Sequence, residues 1–163
     1  MIRAIFAVDQ NGGMGKNGTL PWPKNKDDIR HFRDLTSGNV VVMGRKTWVD
    51  PLMPKPLPKR QNVVLSSFPF ISFPPGVLVY NDLNKAKGYL EQCGKEVWVI
   101  GGVQTLWAFH AYIDQVVLTR FKIDYNCDVS INPNKYLIGF KLDATEDRDD
   151  ISIETYSRRK NEE

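Results

Sequence analysis

A chain of 163 residues, 42% of them hydrophobic and 25% charged, is long enough to bury a core unaided by metal or disulfide and too apolar for disorder. Lys and Arg number 22 against 19 Asp and Glu and are spread along the chain, so the +3 balance gives no support to nucleic acid as a partner. No apolar run reaches the roughly 18 residues of a membrane span, "MIRAIFAVDQ" lacks the layout of a cleaved signal, and Cys93 and Cys127 lack zinc spacing; the expectation is one soluble, cytoplasmic, monomeric domain over residues 1–163 with buried or idle thiols.

The β-branched run "IRAIFAV" predicts a first strand over 2–8. Directly after it, Gly12, Gly13, Gly15 and Gly18 make a loop whose backbone can approach a ligand closely or move as a lid. The order fits neither G-x-G-x-x-G nor the P-loop, and composition alone reads as a flexible surface connection. "LPWPKNKDDI" then carries Leu20, Pro21 and Trp22 into a stiff turn, and Asp27 and Asp28 open a helix over 27–36 whose apolar face includes Ile29, Phe32 and Leu35. One aspartate at a helix start is explained as a cap, worth about 1 kcal/mol, but both cannot cap. At about 100° per residue Asp28 shares the Phe32 side and borders the core, where a carboxylate needs a ligand, a buried donor or a raised pKa.

"NVVVMG" predicts a strand over 39–44, ending at Gly44 and followed by Arg45, Lys46 and Thr47 at the start of a short helix. Two cations and a hydroxyl there suit an anion, although a solvated surface pair explains them too. In "PLPKRQNVVLSS", Arg60 precedes a strand over 62–67 that ends in Ser66 and Ser67; an arginine rooted there can grip a carboxylate bidentately, or make a surface salt bridge. A strand at 77–80 and a helix at 82–92 follow, then "EVWVIGG" at 96–102 running into a helix at 103–110. Consecutive Gly101 and Gly102 admit either a diphosphate or tight strand–helix packing. "QVVLTRF" at 115–121 is a further strand, and "GFKLDATEDRDDISIETYSRR" reads as an antiparallel hairpin. Strands apolar on every residue, alternating with helices, predict an α/β fold with a mostly parallel sheet and ligands at the carboxyl ends of its strands.

Taken in order, "AVDQNGGMGKNGTLPW", "DDIRHF", "VVVMGRKTW", "PLPKRQNVVLSS", "VWVIGG" and "VVLTRF" resemble the dihydrofolate reductase family from about residue 2 to 121, and the tail resembles its closing hairpin only loosely. The resemblance implies a mostly parallel central sheet flanked by helices and closed by a C-terminal antiparallel hairpin. It implies NADPH-dependent reduction of 7,8-dihydrofolate to 5,6,7,8-tetrahydrofolate, with hydride passing to C6 and a proton to N5, and antifolate inhibitors as further ligands. By position Asp28 resembles the carboxylate that holds the pterin, Thr119 the threonine that fixes it, Trp22 the tryptophan that holds a water, and Leu20 a lid residue over the reacting ring. Ile5, Ala7, Phe32, Leu57 and Ile100 resemble the walls around the substrate, and Arg60 the arginine on its glutamate tail.

The resemblance further implies that Ala7, Met14, Gly15 and Leu20 lie beside the nicotinamide. Gly44, Arg45, Lys46, Thr47, Leu65, Ser66 and Ser67 are implied around the phosphates and adenosine, and Ile100, Gly101, Gly102, Val103, Gln104, Thr105 and Leu106 along the diphosphate and ribose. Three positions depart from the family pattern: Leu106 replaces a tyrosine, Gln104 replaces an arginine or other polar residue, and Val129 follows Asp128 where some bacterial members have threonine, which implies a looser lid support. The spacing from Trp22 to Asp28 is one residue longer than in most bacterial members. Two other readings remain: the riboflavin-pathway pyrimidine reductase, which shares the fold but should lack Asp28 and Arg60 in these contexts, and a non-catalytic binding protein that kept the fold.

Overall fold

The computed structural model describes residues 1–67 and 72–160, so the last three residues of the expected domain lie outside it. Six strands follow the predicted order: β1 (Ile2–Val8), β3 (Val40–Gly44), β4 (Gln61–Leu65), β5 (Leu78–Tyr80), β6 (Val97–Gly101) and β7 (Ile113–Phe121). The tail forms β9 (Phe140–Arg148) and β10 (Ile151–Arg158). Together they make one sheet in the order β5-β4-β3-β6-β1-β7-β10-β9. Every pairing from β5 to β7 is parallel, and β10 pairs antiparallel with both β7 and β9. The fold is α/β with a closing antiparallel hairpin.

The unbroken apolar runs have a direct cause. Successive side chains leave a strand on opposite faces, and both faces of this sheet are covered. Ala4, Phe6, Val8, Val40, Val42 and Val99 enter one core cluster, whereas Ile5, Val41, Met43, Val64, Trp98 and Val117 enter the other. The first cluster lies under α3 (Leu83–Gln92) and α4 (Val103–Phe109); the second lies under α1 (Lys26–Thr36) and α2 (Arg45–Trp48).

Neither aspartate caps α1. The cap is Asn25, whose side chain accepts from the Asp28 backbone N–H at 3.0 Å. Asp27 is free of that task and pairs with Arg30 at 2.8 Å and with Arg148 of β9 at 3.6 Å. Ile29 also departs from expectation, being 47% exposed, while Thr36 is buried and Phe32 and Leu35 are half-buried against the second cluster.

Three short elements escape the sequence patterns. β2 (Gly13–Gly15), inside the glycine loop, pairs antiparallel with β8 (Val129–Ser130), and α5 (Pro133–Tyr136) precedes the hairpin. The Tyr136 hydroxyl, fully buried, donates to the Leu106 carbonyl at 2.8 Å, and its ring meets Phe6 edge-on with centroids 5.5 Å apart.

Asn62, a buried polar residue on β4, braces the turn before its own strand. It accepts from the Leu57 N–H at 2.9 Å and donates to the carbonyls of Leu57 at 3.0 Å and Arg60 at 3.1 Å. Asn62→Leu leaves those backbone groups unpaired in a buried place; denaturant unfolding should show a loss of about 2–3 kcal/mol.

Candidate active site

The glycine loop is anchored at its base by one side chain. Asp9 is buried, and its carboxylate accepts from the backbone N–H of Asn11 at 2.9 Å, Gly13 at 2.7 Å and Tyr125 at 3.0 Å, and from the Cys127 thiol at 3.3 Å. Burial pushes its pKa up, but these donors together hold it below the ordinary carboxylate value. Burial first, and then Asp9, push the Cys127 thiol up to about 11, so that thiol stays protonated and serves as a donor. Cys127 is therefore not idle. Gly13 belongs to the same contact, because a Cβ there would meet Cys127 Sγ at 2.4 Å.

The loop is secured again further along. Asp128 donates its backbone N–H to the Gly15 carbonyl at 3.0 Å, and its side chain accepts from the Asn17 N–H at 3.0 Å. Val129 stands opposite Gly15 in the β2–β8 ribbon. Beyond the ribbon the loop tip carries Gly18 and Leu20 out to solvent, Leu20 being 55% exposed. Trp22 closes the loop: it is buried and stacked on Phe121, with ring centroids 4.4 Å apart and an interplanar angle of 16°.

Under the loop runs a groove of about 690 Å3 along the carboxyl ends of β3, β4, β5 and β6. Of the residues expected to hold a cofactor, Met14, Gly15, Leu20, Gly44, Arg45, Lys46, Thr47, Leu65, Ser66, Ser67, Ile100, Gly101, Gly102, Val103, Gln104 and Thr105 all line it. Two do not. Leu106 points away into the first core cluster and is fully buried, because on α4 it lies on the face that packs against the sheet. Ala7 lies on β1, half-buried against the second cluster. Tyr80, Asn81 and Asp82 also line the groove; their place after the short strand β5 could have suggested this. Gly44 is required for closeness here, since a Cβ would meet Thr105 Oγ1 at 2.5 Å.

Asp28 stands on the other flank, with the second cluster. Burial raises its pKa, and the Thr119 hydroxyl and His31 offset part of the rise. Thr119 is buried on β7, directly beside Ala7 of β1 in the sheet register. Ile5 and Leu57 are buried in the same cluster, and Ile100 packs against it while also lining the groove, so it joins the two regions.

Phe32 follows Asp28 by one helical turn and Thr36 by two, a rise of roughly 12 Å from first to last. At the far end Arg60 donates from Nε to Thr36 Oγ1 at 2.8 Å and from Nη1 to the Pro58 carbonyl at 3.0 Å, with its guanidinium 5.5 Å from the Phe32 ring centroid. Among the described residues no carboxylate pairs with it, and burial together with Arg33 pulls its pKa down. The surface salt bridge considered for Arg60 is thus not formed there. Asn25 and Asn62 brace this flank unannounced; of these, the Asn25 cap was legible as an Asn three residues before Asp28.

An anchored glycine loop, a groove at the strand ends lined by cations and hydroxyls, and a half-buried carboxylate on a helix whose far end carries a docked arginine agree with the relatives of this sequence. The dihydrofolate reductase family matches residues 1–158. Dihydrofolate reductase of Ureaplasma parvum is 31% identical over 161 residues, covering 98% of this chain and 99% of that protein. Segregation and condensation protein A of Mycoplasmoides gallisepticum is 30% identical over 163 residues, and this chain spans only 26% of that protein's length. A solved dihydrofolate reductase from Enterococcus faecalis, complexed with NADP(H) and RAB-propyl, is 26% identical with a TM-score of 0.88 over 98% of this chain and 97% of that one. With the family match running through every strand that carries a site residue, the chain belongs to the dihydrofolate reductase family.

Proposed function

We propose that this chain reduces 7,8-dihydrofolate to 5,6,7,8-tetrahydrofolate with NADPH, as a cytoplasmic monomer in which Asp28 and Arg60 hold opposite ends of the substrate. One observation carries the reading: the half-buried carboxylate of Asp28 stands at the start of α1, and the Arg60 guanidinium, with no carboxylate partner among the described residues, is bonded to Thr36 two helical turns further along, with apolar side chains between them. A flat heterocycle with paired N–H donors fits Asp28, an aromatic spacer fits Ile5, Ile29, Phe32 and Leu57, and an anionic tail fits Arg60 in a bidentate pair.

The groove fits NADPH by its donors and its shape. Arg45, Lys46, Thr47, Ser66 and Ser67 offer charge and hydroxyls to phosphates, with Gly44 and Leu65 at the strand ends beneath them. Gly101 and Gly102 let a diphosphate approach bare backbone beside Val103, Gln104 and Thr105. Met14, Gly15, Leu20 and Ile100 form the apolar end, where the lid excludes water, while Ala7 stays on the Asp28 flank. When bound, NADPH supplies the hydride to C6. Asp28 orients the ring, raises its proton affinity through its negative charge, and is itself oriented by Thr119; the N5 proton comes from water, and Trp22 anchors the lid above. The free thiols Cys93 and Cys127 suit a reducing compartment.

Two substitutions test this assignment. Asp28→Asn should lower the rate of NADPH oxidation with dihydrofolate by about 10²-fold or more. The same change should raise stability. Folding lifts the Asp28 pKa, so the ionised group is costlier in the native state than in the open chain, and native stability falls as pH rises through the lifted value. Thermal melts of Asp28→Asn should exceed wild type at neutral pH, and the gap should close as pH falls below the usual carboxylate range. Arg60→Ala should raise KM for dihydrofolate and leave kcat nearly unchanged, because the tail contact is made equally before and during reaction; steady-state kinetics that showed a fall in kcat alone would remove the tail assignment.

A further inference from the structure

His31 lies three residues after Asp28 on α1, at the spacing that makes helical side chains neighbours. Its Nε2 atom is buried and has no hydrogen-bond partner among the described residues. A titratable ring in that condition beside a site carboxylate calls for an account, since packing alone would be served better by an apolar ring.

The charges facing the imidazole come from two elements. On α1 they are Asp28 and Asp34; on β9, which packs across the helix, they are Glu146 and Arg148. Most of these cancel. Arg148 is bonded to Glu146, and their fields at His31 oppose one another. Asp34 is exposed, its side chain 66% accessible, and lies 3.7 Å from Arg33. Asp27, on the adjoining face, is engaged with Arg30 and Arg148. That leaves the Asp28 carboxylate, partly withdrawn from water, as the largest charge effect on the ring among the described residues, in a setting where two charges interact strongly.

We propose that His31 and Asp28 form a coupled pair in which a proton on His31 holds Asp28 in its ionised form, making His31 a positioning residue for the charge that binds the substrate ring. The proposal rests on the role given to Asp28 above. Burial pulls the His31 pKa down, while Asp28 favours its protonation. A proton on Asp28 would end its hold on the ring, and an imidazolium beside it opposes that proton. The acid side of the reaction then belongs to two interacting groups rather than to one.

Reciprocity supplies a test that needs no turnover, because each group must shift the other by the same free energy. NMR titration of the His31 ring in the ligand-free protein should give a midpoint at lower pH in Asp28→Asn than in wild type, since the variant lacks the anion that favours the imidazolium. Superimposable His31 curves would overturn the pairing. In kinetics, the acid-side midpoint of kcat/KM for dihydrofolate should move to higher pH in both His31→Phe and His31→Gln, with melting temperatures recorded to show that each is folded. Unmoved midpoints in two folded variants would equally overturn it. A shifted His31 titration in a protein that fails to oxidise NADPH would uphold the pair and sink the reductase reading, so the two failures are distinguishable.

Discussion

The site depends on holding one carboxylate at the margin of an apolar core. Water would stabilise the Asp28 anion better than the protein does, and its raised pKa records the cost. That cost persists because the helix bearing it is held from several directions. Asn25 sets the first turn, Phe32 and Leu35 pack on the second cluster, and Thr119 reaches across from β7. A group destabilised in the empty protein is one that a ligand with matching donors can relieve, so stability given up in the fold returns as binding energy.

A second carboxylate does opposite work. Asp9 is more completely enclosed, yet its pKa is lowered, because its oxygens already have four donors. It is saturated and therefore structural, whereas Asp28 still has acceptor capacity for a ligand. Asp9 ties the loop after β1 to the segment around Tyr125 and Cys127, more than a hundred residues away in sequence. With Asp128 and the β2–β8 ribbon, this leaves the lid firmly rooted at its base and open to solvent at Gly18 and Leu20. On the proposed function, a loop built this way can close over a ligand by moving its tip, with few contacts to break.

The two binding regions share a boundary rather than a cavity. The groove follows the strand ends, the Asp28–Arg60 flank follows α1, and Ile100 belongs to both. On the proposed function, such a division lets two flat rings meet at a shared boundary while each compartment supplies its own charge: cations for phosphates on one side, a carboxylate and an arginine for a folate on the other.

Much of this was legible in the residues alone. Continuous apolar runs announced strands covered on both faces, helical spacing placed Asp28 and Phe32 on one side of α1, and clustered glycines announced an irregular loop before "LPW". These are local signals, since side-chain period and backbone freedom act within a few residues. Contacts between distant segments carry no such period, and there the tertiary structure decided. It made Asn25 rather than an aspartate the cap, turned Leu106 into the core, left Ile29 exposed beside the site, seated Cys127 on Asp9, and paired Gly15 with Val129. Which side chain is desolvated, and which donor reaches it, is settled by what folds back against it from elsewhere in the chain.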